Sequence, residues 1–63
     1  GIQEGSTVRV IRSPNFGKIG TVSSLPSELK KMESETMVRV AEISIDGVDT
    51  LIPRANLEMV ELQ

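Results

Sequence analysis

From Thr7 to Val22, β-branched residues alternate with polar ones, break at Ser13-Pro14-Asn15 and then resume. A period of two marks a half-buried strand, so this run predicts two strands, about Thr7 to Arg12 and Lys18 to Ser24, joined by a tight loop. Val8 and Val10 share parity and are expected to face a core, with Arg9 and Arg12 in or near water. In the loop, Pro14 fixes φ and Asn15 tolerates a left-handed conformation. Gly17 and Gly20 follow, where glycine either reaches positive φ or lets another backbone come close.

The alternation stops at residues 25–36. Ser27 is placed to cap a helix, and Leu25, Leu29 and Met32 fall at helical spacing, which predicts a short helix or a loop at about 26–34, laid over a barrel end. A strand is not expected there. Alternation returns from Met37 to Ile45 with a slip of phase, since Val38 and Val40 are even whereas Ala41, Ile43 and Ile45 are odd. One inserted residue changes the face, so a β-bulge or sharp bend is expected near Val40-Ala41. Asp46-Gly47 is the strongest hairpin signal, a type I′ turn leading into a strand at Val48 to Ile52, with Gly47 supplying backbone geometry. Pro53 is expected to stop that ladder, Arg54-Ala55-Asn56 to make one tight helical turn, and Leu57 to Leu62 to form a last strand. Residues 1–5 are polar, glycine-flanked and expected to fray. Five short strands at this spacing predict an all-β chain closed into a small barrel, which also removes exposed edges.

Gly5, Val8, Val10, Ile11, Gly17, Gly20 and Val22 stand at the spacing of the KOW module, and this part of the chain resembles that element of ribosomal large-subunit proteins and NusG-type elongation factors. The resemblance covers about a third of the chain. It implies a five-stranded SH3-like barrel whose first hairpin loop touches RNA or a protein. Two positions depart from the pattern: Ser13 stands where the family usually has glycine, and Lys18 alone remains of the lysines that often crowd this loop.

At 63 residues there is room for one domain and one small core, with no cysteine or histidine to add a disulfide or a structural metal. A core of this size leaves roughly 3–5 kcal/mol of net stability. Packed aliphatic side chains must supply it. The first residue is Gly1, and a domain excised from a longer protein is expected. No apolar stretch approaches the ~20 residues needed to cross a bilayer, so a cytoplasmic protein with no membrane contact is the expectation. The net charge of −2 is unevenly spread: residues 1–31 hold five bases and two acids, a local +3, and residues 32–63 hold two bases and seven acids, a local −5. That asymmetry permits a dipolar surface but opposes general binding of polyanions.

Catalysis lacks its usual groups. Without His or Cys, the common general base and the strongest nucleophile are missing, and Glu33 with Glu35, or Asp46 with Asp49, read as solvated loop carboxylates. No enzyme, cofactor, metal or small-molecule ligand is expected. Phe16 is the only aromatic residue, which excludes a methyl-lysine cage, a proline-rich-peptide groove with ring walls, and base-stacking platforms. The remaining candidates for partner contact are Arg9, Arg12, Asn15, Phe16 and Lys18, with Arg39 and Arg54 as further cations. For Phe16, folding back to cap the barrel is preferred over exposure at the loop tip. The expectation is a non-catalytic KOW-type module that docks a larger protein onto a protein or nucleoprotein partner, with direct nucleic-acid contact weak. The alternative is a protein–protein or intramolecular packing domain that touches no nucleic acid.

Overall fold

Strand-forming residues end up where their alternation places them, and a computed structural model describes residues 1–32 and 36–61. Expectations that fall on Glu33, Ser34, Glu35 and Leu62 lie outside the described residues. Among those described, six strands form in chain order: β1 (Thr7–Val10), β2 (Ile19–Ser24), β3 (Leu29–Lys31), β4 (Met37–Ile45), β5 (Val48–Pro53) and β6 (Leu57–Met59). All pairs are antiparallel; β6 lies beside β1, β1 beside β2, β2 beside the second half of β4, and β5 along β4. A single 3-10 turn, Arg54–Asn56, leads into β6. The Asn56 carbonyl accepts from Ile11 N–H at 2.8 Å, tying the far end of β1 to that turn. The result is a curled half-barrel in the SH3-like strand order, an all-β fold.

The inward residues make one aliphatic cluster: Val8, Val10, Val22, Ala41, Ile43, Ile45, Ile52 and Leu57. Gly20 sits against it. A Cβ built there would lie 2.6 Å from the Ser44 carbonyl oxygen and 2.6 Å from Ile43 Cγ2, so the close passage of β2 over β4 requires glycine. Asp46 at φ 52° and Gly47 at φ 80° give the two positive values of a type I′ turn, closed by the Ile45–Val48 pair.

The slip of phase in β4 is real, because Val40 and Ala41 are both fully buried. Its pairing with β5 nevertheless runs unbroken from Val40–Pro53 to Ile45–Val48. The extra residue is in β2 instead, where the register against β4 shifts between Val22 and Ser24. β4 changes face as it passes from pairing with β3 to pairing with β2.

The reading of residues 26–34 is corrected as well. Leu29–Lys31, read as part of a helix or loop, is a strand paired with Met37–Arg39. A helix of one or two turns closes too few hydrogen bonds to repay its nucleation, whereas the first residues of β4 offer ready backbone partners. Arg39 adds a hydrogen bond to the Ser27 carbonyl, holding the approach to β3. At the start of the chain, Gly5 N–H donates to the Val22 carbonyl at 2.8 Å, Val22 N–H donates to the Ser6 carbonyl, and Ile2 packs on the core.

Candidate functional site

The first hairpin loop is built by its glycine. Lys18 N–H donates to the Asn15 carbonyl at 3.0 Å, and Gly17 in between has φ 85°, which makes Asn15–Lys18 a type II turn with Phe16 at its second position. Gly17 N–H donates to the Val10 carbonyl at 2.7 Å while Val10 N–H donates to Lys18, the bulge that a left-handed glycine permits. Phe16 is thereby thrust outward and is 70% exposed. The preferred expectation, that it caps the barrel, is therefore wrong: the turn aims it away from the core, and Leu25 and Ile2 cover the core instead.

This loop, the second half of β5 and the 3-10 turn enclose an open groove of about 640 Å³. Val10 and Ile52, both buried, reach its floor; Arg12, Pro14 and Asn15 line one side, and Leu51, Pro53 and Asn56 line another. Met32 also reaches it from the end of β3. Among the described residues that line the groove, none is acidic. Of the five expected contact residues, the fold brings Arg12 and Asn15 to this place and sends the other three elsewhere.

Arg9 points from the outer face of β1 to Glu58, directly across on β6, with Nη1 to Oε1 at 2.7 Å. Lys18 reaches Asp46 in the β4–β5 turn at 3.6 Å. Arg54 donates to the Val40 carbonyl and Arg39 to that of Ser27, so both are held by backbone. Among the described residues, Arg12 is the one arginine without a hydrogen-bond or ion-pair partner. Asp46 and Asp49 do not form a pair: the first meets Lys18, while the Asp49 and Glu42 carboxylates each lie 3.4 Å from Ser23 Oγ, whose shortest acceptor is the Glu42 carbonyl at 3.0 Å. No described cluster of acidic groups is placed to hold a metal ion.

Leu51 and Asn56 were not among the expected contact residues. Leu51 carried only a weak signal: it occupies the outward parity of β5, between inward Thr50 and Ile52, but single apolar side chains on a wet face are common. Asn56 carried none, since its place depends on how the 3-10 turn packs against β1. No described helix is long and apolar enough to cross a membrane. Comparison with family models, with curated proteins and with solved structures finds no match to this chain.

Proposed function

We propose that this chain is a non-catalytic, KOW-type binding module that docks a larger cytoplasmic protein of the transcription or translation machinery onto a protein or nucleoprotein partner. The groove between the first hairpin loop and β5 is its contact surface. The observation that carries this reading is the unpartnered Arg12 beside exposed aliphatic surface, in a protein whose other arginines are already engaged. Arginine and methionine, both in the groove lining, are enriched in protein-binding surfaces, and arginine among their hot spots. The spacing of glycines and valines from Gly5 to Val22 adds the KOW association.

The local pairing of Arg9 and Lys18 favours protein over bare nucleic acid as the partner, and it equally favours the second reading, a packing domain with no nucleic-acid contact. A photo-crosslinking residue at Leu51 is the test. It is expected to trap a partner that survives nuclease treatment, while the same group at Thr21, on the outer face of β2, traps none. Equal capture from both positions would remove the groove as the docking surface, and capture of another segment of the same polypeptide would favour the packing domain.

A further inference from the structure

The chemistry of the groove narrows its occupant, on the reading that the groove is a docking surface. We propose that it takes a short extended peptide in which a large aliphatic side chain lies next to a carboxylate, with the carboxylate paired to Arg12. Three observations carry this.

The lining residues include one charge, the Arg12 guanidinium, in a chain whose net charge is −2. Four of the described acids are engaged away from it: Glu58 against Arg9, Asp46 against Lys18, and Glu42 with Asp49 around Ser23. A guanidinium binds a carboxylate through two parallel hydrogen bonds, so one free arginine satisfies one acidic group. A nucleic-acid strand instead presents a phosphate about every 3.4 Å and asks for a row of cations. The other arginines are committed to neighbours within the barrel.

The apolar lining is aliphatic, from Met32, Leu51 and prolines, and holds no ring on which a base or a proline-rich helix could stack. An aliphatic side chain is the complement that remains. Finally, β5 pairs with β4 alone among the described strands, so its other edge is open to an extended backbone. Asn15 and Asn56 add amide groups at the two sides.

The test is an NMR titration of the isotopically labelled chain with a blocked octapeptide of alternating leucine and glutamate. Peptides of alternating leucine and lysine, and of alternating serine and glutamate, and an oligouridylate serve as comparisons. The leucine–glutamate peptide is expected to shift the amides of Arg12, Asn15, Leu51 and Ile52. Arg12→Glu is expected to weaken it about ten- to a hundredfold, and Arg12→Lys far less. Arg12 is exposed and bonds to nothing, so both variants keep the dispersed spectrum of the folded chain. Equal binding of the lysine peptide, unchanged affinity in Arg12→Glu, or groove shifts with the oligouridylate alone would overturn the proposal while leaving a docking groove. Absence of shifts with every probe would overturn it too, whereas the docking reading falls only with the Leu51 crosslink.

Discussion

Gly20 and Phe16 illustrate how much a single residue can decide in so small a core. Replacing Gly20 with valine drives a branched side chain into the Ser44 carbonyl and Ile43, both of which lie where its Cβ must go. Overpacking of this kind costs about 1–3 kcal/mol and more when backbone must move, against roughly 3–5 kcal/mol of total stability. Gly20→Val should melt well below the wild-type temperature by circular dichroism, and a wild-type melting curve would refute the close passage. Phe16 is the opposite case. Because its ring is in water, Phe16→Ala should change urea-unfolding stability by no more than about 0.5 kcal/mol. A loss of several kcal/mol would mean that the ring caps the core after all. The need for glycine at position 20 was legible in the strand pattern around it. The outward aim of Phe16 was not, because it depends on which residue of the loop takes positive φ.

At the scale of elements, strands that alternate cleanly were legible and those that borrow a partner were not. Thr7–Val10, Ile19–Ser24, Met37–Ile45 and Val48–Pro53 fall almost where period-two patterning puts them, and the Asp46-Gly47 turn forms as its residues require. Leu29–Lys31 has no such pattern. It is a strand because β4 extends past the reach of β2, and helical spacing over so few residues is weak against that opportunity. The bulge shows the same limit: a change of face in β4 was visible, but a pattern on one strand cannot say which partner carries the extra residue. Gly47→Ala forces a Cβ into left-handed geometry and should cost about 1–2 kcal/mol by chemical denaturation, since nothing crowds the position and backbone conformation is its only requirement. Across β1 and β6, Arg9 and Glu58 are each about half exposed. A double-mutant cycle should give a coupling of about 0.2–1 kcal/mol that shrinks in concentrated salt.

Over the whole molecule, folding offsets part of the uneven charge of the two halves. Strand pairing lays β1, from the basic first half, against β6, from the acidic second half, and among the described residues two ion pairs, Arg9–Glu58 and Lys18–Asp46, close between the halves. The candidate site was half legible for this reason. Arg12 and Asn15 could be picked from the loop, but which cations stay available is settled only by the neighbours that folding provides. Binding to generic RNA or DNA should therefore be weak, with affinity falling against salt no more steeply than about one phosphate contact allows. A slope corresponding to three or more contacts would reinstate a basic strip. The pairing of β6 with β1 has a separate result: Val60 N–H donates to the Thr7 carbonyl at 3.0 Å, which extends the seam between the two strands by one more bond. From there to the groove floor at Val10 is about 10 Å of strand. Two strands so joined open as one leaf, so whatever loosens Leu57–Met59 also bares the edge of Thr7–Val10, whose last residue lies at the groove.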